Sequence, residues 1–168
     1  MVTIRWLIAI LILPGTVLIV FPWVILWFSK GFLTFAKPTD FIFWLALILA
    51  GIGVTMGLWA MGLFFCFGGG TPAPWDPPKN FVVQGPYRYV RNPMISAVLT
   101  ILLAESLFFL SIHLFFWFCI FLTINLVYIP TVEEKQLAKR FGRDYLAYKK
   151  KVPRWIPNVR PSKSEGAD

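Results

Sequence analysis

The sequence predicts an all-α integral membrane protein: a bundle of about four transmembrane helices that ends in a tight hairpin, followed by an amphipathic helix on the cytoplasmic interface. Three observations predict it. Of 168 residues, 58% are hydrophobic and the mean hydropathy is +0.70, well beyond what a soluble domain needs to fill its core. The apolar residues gather in three stretches, roughly 6–28, 41–67 and 94–130. The basic residues gather elsewhere: ten of the sixteen Lys and Arg follow Pro130, and Lys79, Arg88 and Arg91 lie between the second and third stretches.

Each element follows from these patterns. A hydrocarbon core of about 30 Å takes about 20 helical residues. The first stretch is therefore long enough for one span, and no small-residue cleavage pattern follows Phe28, so it reads as a retained span and not a signal peptide. Pro14-Gly15 inside it predicts a kink that neighbouring helices tolerate. The second stretch gives another span, with Ala46, Ala50, Gly53 and Gly57 forming a small-residue row that lets a second helix approach closely. The third stretch is too long for one crossing and reads as two short arms turning at Ser111 to His113.

Charge sets the orientation. Both basic segments belong on the cytoplasmic side, which puts the two termini inside and the loop around residues 30–40 outside. The two basic segments then share one compartment and can meet. The chain divides into a transmembrane pair at 1–67, a core of loop, hairpin and interfacial helix at 68–157, and a polar tail at 158–168.

Several function classes find no support. Cys66 and Cys119 lie in apolar stretches and His113 is the only histidine, so neither a disulfide framework nor a metal site has its ligands. The net charge of +8 is juxtamembrane, which suits anionic lipid head groups at the basic C-terminal segment and not nucleic acid. "GIGVTMG" from Gly51 has its third glycine one place late for a dinucleotide fingerprint, and no strand precedes it. A transporter would want a row of polar groups within a span. Glu105 stands nearly alone there, and an interhelical hydrogen bond to Thr123 or Asn125 is its expected role.

The polar residues concentrate at the cytoplasmic mouth of the hairpin. "GPYRYVRNP" from Gly85 contributes Tyr87, Arg88, Arg91 and Asn92, and the hairpin's exit contributes Glu133 and Glu134. Ahead of this turn, "TPAPWDPPKN" is an extended, proline-stiffened wall. After the exit, Leu137, Phe141, Tyr145 and Tyr148 recur at helical spacing and predict the interfacial helix, with Trp155 as a membrane anchor beyond it. Cations and carboxylates gathered at one mouth suit a zwitterionic ligand. Structural roles stand beside that reading: Asn92 before Pro93 fits a helix N-cap, Thr131 to Glu134 fits a capping box, and Arg88 and Arg91 suit lipid phosphates equally well.

Taken together, "DPPKNFVVQGPYRYVRNP", a hydrophobic hairpin and "EEKQLAKRFGRDYLAYKKKVPRWIP" resemble the isoprenylcysteine carboxyl methyltransferase and phospholipid N-methyltransferase superfamily of integral membrane enzymes, most of all its prokaryotic members. The resemblance spans residues 68–157. It implies S-adenosylmethionine in a pocket open to the cytoplasm, a lipophilic or lipid acceptor arriving from the bilayer, and a prokaryotic inner membrane as the location. It also implies that Phe81, Val82, Val83 and Tyr87 line the cofactor, that Arg91, Asn92, Pro93 and Met94 follow as the next binding element, and that Glu133 and Glu134 meet its polar end. Asn92 and Ile95 stand where the family's pattern has histidine and tyrosine. They motivate the alternative of a non-catalytic binding or structural membrane protein that keeps the fold.

Overall fold

The computed structural model describes residues 9, 11–29, 35–69, 71 and 78–158. The extreme N-terminus, the tip of the outer loop, the proline-rich stretch at 72–77 and the polar tail after Asn158 were all assigned roles above and lie outside these residues. Among the described residues the structure is helical, with no strand. Helix α1 (Phe21–Phe28) continues a π-wound stretch, Leu11–Val20, that contains Pro14. The irregularity expected at Pro14 is thus taken up by wider turns. Helix α2 (Phe41–Leu63) runs on into one π turn, Phe64–Gly68. Helices α3 (Pro93–Phe108) and α4 (Ile112–Tyr128) form the arms of the hairpin, and a π turn, Ile129–Glu133, leads into α5 (Glu134–Lys151).

Two helices are long and apolar enough to cross a bilayer, Phe41–Gly68 and Ile112–Lys151, while the apolar helices Ile12–Phe28 and Pro93–Phe108 are shorter. Trp23, Trp27, Trp44, Leu58 and Phe116 are all exposed. In water such a surface would be a liability, and in a bilayer it faces its own solvent.

By packing, the chain divides into two compact units, Met1–Thr55 with Ala97–Thr123 and Met56–Ser96 with Ile124–Asp168. In the first, α2 and α3 approach closely at Gly53, where an added Cβ would lie 2.7 Å from Ile101 Cγ1 and 3.1 Å from the Ala97 carbonyl oxygen. Gly53 of the small-residue row therefore makes the close approach that the spacing predicts. The Trp117 indole donates to the Val17 carbonyl at 3.2 Å, which ties α4 to the π-wound stretch. The hairpin turn differs from expectation in its detail. Leu110 adopts φ +46°, the Ser111 amide reaches back to the Ser106 carbonyl at 3.0 Å, and the Leu110 amide to that of Leu107 at 3.3 Å. This is the helix-ending arrangement usually given to glycine. Ser111 Oγ then accepts the Leu114 amide at 3.4 Å, so Ser111 starts α4 while His113 is an exposed residue of its first turn.

Two other expectations are corrected. Thr131 does not cap a new helix, because the chain stays helical from Ile112 to Lys151 and Thr131 Oγ1 donates back to the Val127 carbonyl at 2.5 Å. With no free N-terminus there, Glu134 has no capping duty. Of the two partners expected for Glu105, Thr123 instead donates its Oγ1 to the Cys119 carbonyl at 2.8 Å, and Glu105 Oε2 is buried with no hydrogen bond among the described residues.

Candidate functional site

The site is built within the second unit, from the loop before α3 and the helix after α4. Phe81, Val82 and Val83 lie in the irregular loop ahead of the turn, and their side chains enter two different clusters. Val82 packs with Tyr87 and Ala60, joined by Leu63, Phe64 and Met94. Phe81 and Val83 pack on the other side with Tyr145, Tyr148 and Val152. The ring of Phe81 stands 5.2 Å from that of Tyr148 and 5.1 Å from that of Phe141. The apolar stripe read from α5 therefore exists, but the chain's own loop covers it where lipid was expected.

A 3-10 turn, Gly85–Arg88, reverses the loop. Gly85 sits at φ +52°, and a Cβ there would meet Leu63 at 2.7 Å and the Trp59 ring at 3.0 Å, so only glycine suits both the backbone and the space. Three bonds then hold the turn against the C-terminal segment. Tyr148 Oη donates to the Tyr87 carbonyl at 2.7 Å, the Arg91 amide to the Pro153 carbonyl at 2.9 Å, and the Asn158 amide to the Tyr89 carbonyl at 3.0 Å.

The charged groups meet at Glu134, whose side chain is only 4% exposed. Its Oε1 accepts Arg91 Nη1 at 2.8 Å and Arg154 Nε at 2.7 Å, and its Oε2 lies 2.7 Å from Lys149 Nζ. Burial alone would raise this carboxyl. The hydrogen bonds from Arg154 and Lys149 and the charge of Arg91 outweigh it and hold the group below its ordinary value. Glu133 is in the opposite condition. Burial first, and the neighbouring Glu134 charge second, push it up to about 7. Among the described residues no hydrogen bond or ion pair forms on its carboxyl. Its field reaches Tyr87 and Tyr145, both of which burial raises above the usual phenol value.

A family model described as phospholipid methyltransferase matches residues 41–144, more than half of the chain. The chain belongs to the phospholipid methyltransferase family. No curated protein and no solved structure matches it. Membership makes the exposed apolar helices those of a membrane methyltransferase family, and the matched residues include the loop, the hairpin, Glu133 and Glu134.

For a member of this family the site's composition is informative. The structure brings Arg91 onto Glu134, and Phe81, Val82, Val83, Tyr87 and Met94 into the two clusters around the loop. Pro93 is fully buried at the start of α3. The carbonyl of Asn92 accepts the Ser96 amide at 3.0 Å, as the residue before a helix should, while its Nδ2 is buried with no partner among the described residues. Arg91 Nε and Trp155 Nε1 are buried donors in the same condition. Sequence reasoning missed Lys149, Arg154 and the hydroxyl of Tyr148, all of which lie beyond the stretch that the family model matches. The signal available for Arg154 was "VPRWIP" directly after the helix, of which only Trp155 was read above, as an anchor.

Proposed function

We propose that the chain transfers a methyl group from S-adenosylmethionine to a lipophilic or lipid acceptor at the cytoplasmic face of a prokaryotic inner membrane. In this reading the protein has four spans, both termini are cytoplasmic, and the basic C-terminal segment meets anionic lipid head groups. The observation that carries the proposal is the contrast between two adjacent carboxyls: Glu134 is saturated by Arg91, Arg154 and Lys149, while Glu133, beside Tyr87, has no hydrogen bond or ion pair among the described residues. Glu133 is half-buried, and a carboxyl that burial raises while no neighbouring donor meets it suits a ligand that supplies one.

The residues present fit the cofactor. Its ammonium and ribose hydroxyls are donors, which is what Glu133 lacks. Its carboxylate is an acceptor, which is what the buried Arg91 Nε and Asn92 Nδ2 lack. When bound, the cofactor supplies a methyl group already activated on a sulfonium. The protein's work is then positioning and the exclusion of water. Glu134 does the first indirectly, by fixing Arg91 against the C-terminal segment. Phe81, Val82, Val83 and Tyr87 do the second by giving the loop an apolar lining, of which α5 covers Phe81 and Val83.

Calorimetric titration of the purified protein with S-adenosylmethionine and S-adenosylhomocysteine tests this. Saturable binding that is lost in Glu133→Gln is the expected result. Equal binding by that variant removes Glu133 from the site, and no binding by folded wild-type protein removes the proposal.

A further inference from the structure

A second carboxyl stands apart from this chemistry. Glu105 lies in α3, in the first unit, beside a hollow of about 120 Å³ between α2 and α3. The space exists because Ala46, Ala50 and Ala104 stand where larger residues would fill it. The other lining residues, Leu47, Ile101, Phe108 and Phe109, are apolar too, so Glu105 is the one polar residue lining it. Its Oε2 is buried and unpartnered among the described residues.

We infer that this hollow is a binding site for a slim lipophilic molecule carrying one N–H or O–H donor, an alkyl amine or alcohol, whose head hydrogen-bonds Glu105 while its chain lies along the alanines. An ionisable group in an apolar span is costly and ordinarily finds a partner, and α2 and α3 offer none. Water answers the need poorly. The volume equals that of about four liquid waters, but a buried water takes about three hydrogen bonds and Glu105 is the only polar side chain there to give them. An amphiphile with one donor and an apolar body matches both the single acceptor and its dry surroundings. The inference is independent of the methyl-transfer reading, since neither Glu105 nor the alanines belong to that site.

The test uses the full chain in nanodiscs of phosphatidylcholine, whose head group carries no donor. Decylamine, decan-1-ol and decyl methyl ether are added separately and retained probe is read by native mass spectrometry. The amine or the alcohol should be retained about tenfold more tightly than the ether, the worth of one hydrogen bond. Glu105→Leu should erase that preference, and Ala50→Phe should expel all three. A preference for the amine over the alcohol assigns an ammonium to the site, and the reverse assigns a hydroxyl. Equal retention of all three probes by wild type, or a donor preference that survives Glu105→Leu, overturns the proposal. Glu105→Leu replaces an unpartnered polar group with an apolar one, so it is expected to fold, and it decides the matter even if the bulkier Ala50→Phe does not.

Discussion

Arg91 Nη1 donates to Glu134 Oε1 at 2.8 Å, joining the loop before the hairpin to the helix after it across 43 positions of sequence. Arg154 donates to the same oxygen, and Lys149 pairs with the other. One carboxylate thus holds three cations from three parts of the chain, and among the described residues the neighbouring Glu133 holds none. The two acidic residues should therefore fail differently.

Glu134→Gln is expected to destabilise. It leaves three cations facing a neutral amide, and breaking a buried ion pair costs about 3 kcal/mol, with the share of Lys149 reduced because that side chain is 42% exposed. Thermal unfolding in detergent should show the loss. Glu133→Gln should leave the unfolding temperature at neutral pH unchanged or raised, because it removes a buried charge that repels Glu134. If both variants unfold alike, the division of labour between them is wrong.

Cofactor binding should depend on pH through Glu133. Its folded value is raised from 4.5 to about 7, so protonation favours the folded state: the stabilisation is complete below 4.5 and is lost as pH rises through about 7. Binding an ammonium has the opposite demand, since it needs the ionised form. Affinity for S-adenosylmethionine should rise between pH 5.5 and 7, by up to about tenfold per unit. Glu134 stays ionised over this range and Tyr87 and Tyr145 stay neutral, so none of them supplies the slope. A flat profile, or the same slope in Glu133→Gln, would assign the titration elsewhere.

Tyr148→Phe keeps the ring against Phe81 and removes only the hydroxyl that donates to the buried Tyr87 carbonyl. Leaving that acceptor unpaired should cost about 1 to 2 kcal/mol. Amide exchange should quicken around the turn at Tyr87 more than in α2. Uniform exchange would mean that the bond does not hold the turn.

Two glycines share a backbone sign and differ in surroundings. Gly85→Ala places a methyl against Leu63 and Trp59 in addition to the strain of φ +52°, whereas Gly142, at φ +53° and ψ −123° inside α5, has nothing within 4 Å of an added Cβ. Gly142→Ala should therefore cost backbone strain alone, on the order of 1 to 3 kcal/mol, and Gly85→Ala more than that. An equal loss of thermal stability in the two would show that packing at Trp59 is soft.

Much of this was legible in the sequence because it follows from periodicity and composition. Apolar stretches and basic flanks identify the helices and the hairpin, and the spacing of Ala46, Ala50 and Gly53 announces a close helix contact that Gly53 makes. The stripe of Leu137, Phe141, Tyr145 and Tyr148 announces a buried face. What covers that face was not legible, since a stripe on α5 fits a membrane surface as well as Phe81 and Val83. The kink at Gly142 was hidden for a related reason: glycine is tolerated in a straight helix, and only the fold reveals the positive φ. The saturation of Glu134 escaped because its partners at 149 and 154 belong to runs of basic residues that read equally well as a solvated tail. Ion pairs across the chain are set by packing, and one-dimensional spacing does not carry them.

Transfer of a labelled methyl group tests the central claim most directly. The purified protein is incubated with methyl-labelled S-adenosylmethionine and vesicles of total bacterial membrane lipid, and label in the organic extract is counted. Label in the lipid phase with wild-type protein, and at least a tenfold drop with Glu133→Gln, is the expected result. Protein that is folded and binds the cofactor, yet leaves the lipid phase unlabelled, would contradict it.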